Sequence, residues 1–206
     1  MHNEICEKLG IEFPIFAFSH CRDVVAAVSK AGGIGVLGAL AFSPEQLEME
    51  LNWLDNNTGG KPYGVDIVIP KKYVGRSEGD FKKEDLENMI SAEHKQWIED
   101  LLEKHGVPAL PETVEEVEGL LGWSDSGGRA HLEVAMKHPI KLIANALGPP
   151  PEDVVSLAHD QGIMVAALVG SVKHAQQQKK AGVDIIIASG YEAGGHTGEI
   201  TSMILW

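Results

Sequence analysis

Residues 184–198 have the sequence DIIIASGYEAGGHTG, in which an apolar run gives way to glycines around one histidine. The run of isoleucines is typical of a strand buried on both faces of a parallel sheet. The loop after such a strand leaves from its carboxyl end, where parallel α/β sheets bind their ligands. This stretch therefore predicts both a fold class and the position of a site.

The same alternation of apolar strand and helix runs through most of the chain. Ser43, Pro44 and Gln46 form a helix start, in which Ser43 caps, Pro44 takes the first helical position and Gln46 closes a capping box. Continuous apolar strands separated by helices predict βαβ units around a parallel sheet. The predicted strands are residues 13–18, 34–37, 63–69, 140–145, 163–168 and 183–188.

Six strands leave two architectures open. A closed (β/α)8 barrel needs eight strands and about 250 residues, so the sheet is either open or part of a longer barrel. The sequence stops in mid-pattern at 204–206, which favours a truncated chain. We expect a single, incomplete domain over residues 1–206.

Residues 71–139 interrupt the alternation with a polar, charged segment. Helices are predicted near 84–105, 111–121 and 129–137, and Trp97 with its apolar neighbours is predicted to form the inward face of the first. We interpret the segment as a helical insertion after the third strand. Two roles are open for the segment, a mobile surface insertion or a lid over the site. The lid is an option because the loop after the third strand emerges on the active-site face of a barrel.

Composition excludes several classes of protein. The 206 residues include 17 basic and 30 acidic side chains, and a net charge of −13 argues against binding nucleic acid or an anionic membrane. Neither a signal core nor an apolar run of about 18 residues is visible, and two cysteines indicate no disulfide framework. These features predict a cytoplasmic protein. The histidines lack metal-ligand spacing, so no metal site is predicted.

Two groups of residues could carry chemistry. The glycines of the 184–198 loop permit close approach of a flat ring or a phosphate, and His196 could hydrogen-bond an anionic substrate or move a proton. A flexible loop with a solvent-facing histidine is the alternative. His20 could activate Cys21 as a nucleophile, but adjacent residues at a helix start point in different directions, which favours a packing role for the thiol.

Three ordered motifs resemble those of the nitronate monooxygenase family, formerly called 2-nitropropane dioxygenases. They are YEAGGHTG at 191–198, AAVSKAGGIGVLG at 26–38 and KPYGVD at 61–66. The resemblance implies an α/β fold, a (β/α)8 TIM barrel truncated here after about six strands. It also implies FMN as cofactor, and an alkyl nitronate and O2 as substrates that yield a carbonyl compound and nitrite. A homo-oligomer is compatible with the sequence.

The resemblance also implies roles for individual residues. His196 corresponds to the catalytic histidine of the family. Two positions depart from the family pattern, because Phe16-Ala-Phe18 replaces Ala-Pro-Met and Asp66 replaces an asparagine. The phosphate-binding glycines that follow strands seven and eight in the family have no counterpart here. The implied cofactor-binding residues are Ala17, Phe18, Ser19, Asp66, Asn145, Ser189, Gly190, Gly194 and Gly195.

Other activities remain open from the sequence. Similar barrels reduce quinones with NADH or reduce enoyl thioesters, and nothing in these motifs excludes either reaction. A hypothesis of a different class is that the 206-residue chain is a non-catalytic barrel fragment.

Overall fold

In the part of the chain that the structure describes, six parallel strands form one sheet, and their order in the sheet is their order in the chain. The structure is a computed structural model that describes residues 2–69, 90–108, 125–194 and 197. Each neighbouring pair of strands is parallel. The strands are β1 (Phe16–Ser19), β2 (Ile34–Gly38), β3 (Tyr63–Ile67), β4 (Leu142–Asn145), β5 (Met164–Val169) and β6 (Ile185–Ala188).

Helices alternate with these strands. The predicted capping box at the start of the helix Pro44–Asn57 is present, since Ser43 Oγ accepts from the Gln46 amide and the Gln46 side chain accepts from the Ser43 amide. None of the described helices is long and apolar enough to cross a membrane. The helices are α1 (Glu4–Leu9), α2 (Arg22–Lys30), α3 (Pro44–Asn57), α4 (Ala92–Lys104), α5 (Asp125–Ala135), α6 (Glu152–Asp160) and α7 (Val172–Lys180), and a 3₁₀ turn covers Ala39–Ala41.

The outer face of the sheet packs against helices. Leu47, Leu51 and Leu54 recur along one side of α3 and are fully buried against residues of β3 such as Val65 and Ile67. Burying one such leucine stabilises the fold by about 1.5–3 kcal/mol. Helix α5, although it lies within the predicted insertion 71–139, contributes Leu132, Val134 and Ala135 to this core.

A polar cluster joins three of these elements at the start of β3. The Tyr63 hydroxyl donates to Asp55 Oδ1 at 2.6 Å, and His138 Nδ1 donates to Asp55 Oδ2 at 2.7 Å. The cluster therefore ties the end of α3 and the segment after α5 to the amino end of the sheet.

The inner face of the sheet forms a second, smaller core. Alternate residues such as Val36, Leu142 and Ala166 pack there with Cys6 and Leu9 of α1. Within the described residues, β1 pairs only with β2 and β6 only with β5. The sheet therefore has two free edges and does not close around its inner face. This arrangement confirms the predicted α/β barrel fold with six strands.

Three sequence predictions need correction. The strand predicted at 183–188 is not buried on both faces, because Ile186 is 41% exposed and the other residues of β6 are only partly buried. The first strand begins at Phe16 rather than residue 13, because the amides of Glu12 and Phe13 both donate to the Gly32 carbonyl, at 2.8 and 2.9 Å, before pairing with β2 begins. The inward face predicted around Trp97 is wrong, because α4 buries none of its residues and Trp97 is 59% exposed. The predicted helix 111–121 and residues 84–89 lie outside the described residues.

Candidate active site at the carboxyl ends of the strands

The carboxyl ends of β2, β3 and β4 place Gly38, Asp66 and Ala144 side by side in register. Ala144 belongs to the inner core, whereas Val65 and Ile67 belong to the outer core. Because side chains alternate along a strand, Asp66 faces the inside of the partial barrel. This region is the mouth of the barrel, and in parallel α/β folds it is where ligands bind.

Asp66 is a carboxyl group without a counter-charge among the described residues. Its Oδ1 atom is buried and has no hydrogen-bond partner there. Burial raises the pKa of Asp66 from the ordinary value of 3.8 to about 7, because a charge is costly to remove from water. Perturbed carboxyl groups of this kind concentrate at functional sites. Asp66 can therefore carry a proton near neutral pH and donate it in a hydrogen bond.

Gly38 leaves a space that two aromatic rings fill. His20 Nδ1 lies 3.1 Å from the Gly38 carbonyl oxygen, and the His20 and Phe18 rings meet edge to face with centroids 5.0 Å apart. A Cβ atom on Gly38 would come within 2.6 Å of His20 Cε1 and 2.7 Å of Phe18 Cζ. The absence of a side chain at position 38 is therefore what allows both rings to lie over the end of β2.

Asn145 connects, through side-chain hydrogen bonds, the two loops that follow β3 and β4 at this edge of the sheet. Its Oδ1 accepts from the Ile69 amide at 2.9 Å, and its Nδ2 donates to the carbonyls of Gly148 at 2.9 Å and Ile69 at 3.4 Å. The residue is 1% exposed, and it alternates with Ala144, so its side chain leaves the sheet on the outer face. This geometry holds the ends of β3 and β4 together, and a direct cofactor contact by Asn145 stays a prediction.

Three of the predicted site residues lie on the edge strand β1. Phe18 is 57% exposed on the inner face of β1, and Ala17 and Ser19 alternate with it, while Ser19 Oγ accepts from the Cys21 amide at 3.0 Å. Only the main chain of Ala17 and Ser19 is therefore suited to contact a ligand inside the barrel.

After β6 the chain continues the ladder and then turns. The Ser189 amide donates to the Val169 carbonyl at 2.8 Å, and the Ala193 amide donates to Gly190 at 3.2 Å. Gly190 is buried, whereas a Cβ on Gly194 would meet nothing within 4 Å. Gly195 and His196 lie outside the described residues, so the catalytic role predicted for His196 remains a prediction.

The sequence suggests only one role for His20, that of a base for Cys21. In the structure the Nδ1 of His20 is bound to Gly38, and the Cys21 thiol instead lies 3.9 Å from an Asp23 carboxylate oxygen. The only signal in the sequence was the position of His20 directly after the first strand. Its contact with Gly38 depends on the pairing of β1 with β2, which a local motif does not express.

The chain is similar to known proteins over nearly its whole length. The family model for nitronate monooxygenase matches residues 3–204. The Mycobacterium tuberculosis protein named "Putative monooxygenase Rv1533" is 50% identical over 206 residues, which are all of this chain and 55% of that protein. A protein of Staphylococcus aureus strain N315, named "Probable nitronate monooxygenase", is 28% identical over 201 residues, covering 95% of this chain and 51% of that protein.

Solved structures share the fold. A nitroalkane oxidase from Streptomyces ansochromogenes matches with a TM-score of 0.69 at 22% identity, covering 94% of this chain and 50% of that one. FabK from Thermotoga maritima matches with a TM-score of 0.65 at 23% identity, covering 100% of this chain and 49% of that one. The chain thus spans about half the length of the curated relatives it matches.

Proposed function

Because the chain belongs to the nitronate monooxygenase family, a family of oxidoreductases, we propose that it forms six strands of an FMN-dependent barrel enzyme. The proposed reaction oxidises an alkyl nitronate with O2 to a carbonyl compound and nitrite. The observation that carries the proposal is the family match over residues 3–204, which includes the strand ends around the mouth. The finer points, FMN and an alkyl nitronate, rest on the motif resemblance.

The described residues at the mouth fit the ring side of a flavin. Asp66 offers a buried Oδ1 without a partner, and Phe18 offers an exposed aromatic face. The bare main chain at Gly194, where a Cβ would meet nothing within 4 Å, permits close approach of a planar group. When bound, the flavin would accept electrons from the substrate and pass them to O2. We assign no described residue to the flavin phosphate.

The protein side chains would bind and orient the reactants. In this proposal the imidazole of His196 contacts the nitronate group or moves a proton, and the main chain of Ala17 and Ser19 meets the flavin ring together with Phe18. Residues Ser189, Gly190, Gly194 and Gly195 form the loop beside the ring. Asn145 acts by fixing the loop ends, since its amide already holds Ile69 and Gly148.

Flavin titration and substrate assays test the proposal. FMN added to the purified chain should change its visible absorbance on binding, and O2 uptake with propane-2-nitronate should exceed NADH oxidation with a quinone. His196→Asn should keep FMN affinity within about twofold while lowering turnover by at least about 10²-fold, the usual contribution of acid–base catalysis. The exposed His174→Asn on α7 is the matched control. Unchanged turnover in the His196 variant would remove that residue from the mechanism.

A second candidate, a non-catalytic fragment, is favoured by the open inner face. β1 and β6 each have one strand neighbour in the described part of the chain, and inner residues such as Ile185 and Ile187 are only partly buried. A colourless protein whose addition leaves the FMN spectrum unchanged would support this candidate over the enzyme.

A further inference from the structure

Helix α4 packs into neither apolar core of the part of the chain that the structure describes. None of its residues is buried, and none belongs to the inner or the outer core. Ser91 caps its first turn by accepting from the His94 amide at 3.2 Å. The helix has 13 residues, and isolated helices shorter than about 12–15 residues are only marginally stable in water, because most helices in proteins are stabilised by packing of an apolar face. A partner surface would therefore stabilise α4.

One side of α4 carries a continuous stripe of apolar and aromatic side chains. Trp97 and Leu101 form one row along the helix, and Ile98 and Leu102 form a second row beside it, because residues four apart are neighbours on a helix surface. The His94 ring extends the stripe towards the start of the helix, with its centroid 6.0 Å from that of Trp97. The four apolar side chains are 39–59% exposed. These five side chains are called the α4 stripe below, and exposed patches of this kind mark interaction sites.

The rest of the helix surface is polar and more acidic than basic. Away from the stripe, Gln96 Nε2 donates to Asp100 Oδ1 within the helix at 2.9 Å. The helix carries four acidic side chains and two lysines, and the whole chain has a net charge of −13. Amphipathic helices that lie on anionic membranes have a basic polar face instead. The α4 stripe is therefore suited to a protein surface rather than to a membrane.

Two opposite charges border the same edge of the α4 stripe, one near each end. Glu93 and Lys104 are 11 residues apart, which is about three helical turns, so both lie on one side of α4. In an antiparallel pair of these helices related by a two-fold axis, Glu93 of one copy faces Lys104 of the other, and this contact occurs twice. The stripe is centred close to the midpoint between the two charges, so the same alignment also brings the apolar rows together. A parallel pair would instead place like charges side by side.

We propose that α4 is a self-association site, at which the α4 stripes of two copies of this chain pack antiparallel about a two-fold axis. Trp97 of each copy packs against Leu101 of the other, and the two Glu93–Lys104 pairs border this apolar contact. One helix from each copy buries less area than the about 1,200–2,000 Å² of a standard interface, so the dimer is weak and reversible. The inference is independent of the function proposed above, because no residue of the mouth takes part.

Sedimentation velocity of the full 206-residue chain tests the site. The parent should pass from monomer to dimer between about 1 and 200 µM, the range expected of a weak interface. Trp97→Ala should raise the dimer Kd at least about tenfold, because aromatic side chains at the centre of an interface dominate its affinity. Val172→Ala on α7, where the parent side chain is 58% exposed, is the matched control and should leave the Kd unchanged.

Two outcomes of this experiment would overturn the proposal. One is a parent that stays monomeric over the whole range, which would mean that the α4 stripe is covered within one copy or by a different protein. The other is a dimer that Trp97→Ala leaves unchanged, which would place the contact elsewhere, for example at the free edges of the sheet. Far-UV circular dichroism of each variant checks that the loss of association is not a loss of fold.

Charge reversal tests the antiparallel alignment separately. Glu93→Lys and Lys104→Glu should each weaken the dimer about three- to tenfold at low ionic strength, because each makes both charge pairs repulsive. The two substitutions shift the net charge in opposite directions, so a shared weakening cannot come from net charge. In a parallel pair, neither reversal would change the number of like-charge contacts, so unchanged dimers would refute the alignment.

Mixing the two charge variants shows whether the charges meet between copies. An equimolar mixture should associate within about twofold of the parent, because position 93 of each variant then faces the opposite charge at position 104 of the other. The two positions are about 16 Å apart along one helix, so no contact within a copy can restore association. A mixture that associates no better than either variant alone would refute the α4 pair.

Discussion

Replacing Asp66 by asparagine should make the protein more stable at neutral and alkaline pH. The substitution keeps the shape of the side chain and removes the ionisable group. Burial is the cause that raises the pKa of Asp66 from 3.8 to about 7 in the folded chain. The ionised form therefore destabilises the folded state, and Asp66→Asn removes this cost. The substitution also restores the residue type that the family motif has at this position.

The sign and size follow from proton linkage. Below pH 3.8 the carboxyl is protonated in both states and has no effect on stability. Between pH 3.8 and about 7 the unfolded chain has lost the proton that the folded chain retains, so the parent loses stability as the pH rises. Moving a pKa from 3.8 to about 7 corresponds to about 4 kcal/mol, an upper limit because Asp66 is only partly buried as a whole residue.

Urea unfolding followed by tryptophan fluorescence measures this difference. The free energy of unfolding of Asp66→Asn minus that of the parent should increase between pH 4.5 and 7.5, by at least about 2 kcal/mol, and then level off. The exposed Asp160→Asn at the end of α6 changes the net charge equally and corrects for it. A difference that stays constant with pH, once corrected, would show that Asp66 is not a buried carboxyl.

Other substitutions test the elements that support the mouth. Asn145→Ala should lower the free energy of unfolding by about 1–3 kcal/mol, because it leaves the buried Ile69 amide without its acceptor. A loss below about 1 kcal/mol in urea unfolding would mean that water replaces the side chain. Leu51→Ala should cost about 2–5 kcal/mol in the same assay, because the fully buried leucine leaves a cavity between α3 and the sheet, and an effect below 1 kcal/mol would contradict the packing of α3.

The fold was predictable because its signals are local. Three kinds of signal depend only on neighbours in the sequence. They are the capping box at Ser43 and Gln46, the glycine after α7 (Gly182, φ +85°) and the six apolar strands. The exposure of α4 was not predictable, because a periodic apolar stripe such as that around Trp97 does not specify what packs against it.

The site was predictable only in part. Motifs identified Asp66 at a strand end, and the structure adds that burial raises the pKa of its carboxyl group, because a charge is costly to remove from water. The contact between His20 and Gly38 was not predictable, because Gly38 lies 18 residues away and is brought close by strand pairing. The side chain of Asn145 points to the outer face of the sheet. Which face becomes the outer one is a property of the whole sheet and cannot be read from the residues around Asn145.

The two groups of candidate site residues lie on opposite edges of the sheet. Phe18 lies in β1 and His20 directly follows it, whereas the glycine loop follows β6, and four strands separate the two groups. Their separation is therefore set by how tightly the sheet curls, which no single contact controls. The twist between neighbouring strands sets the gap between the two groups. Substitutions in the middle of the sheet, far from either group, can therefore change the distance between them.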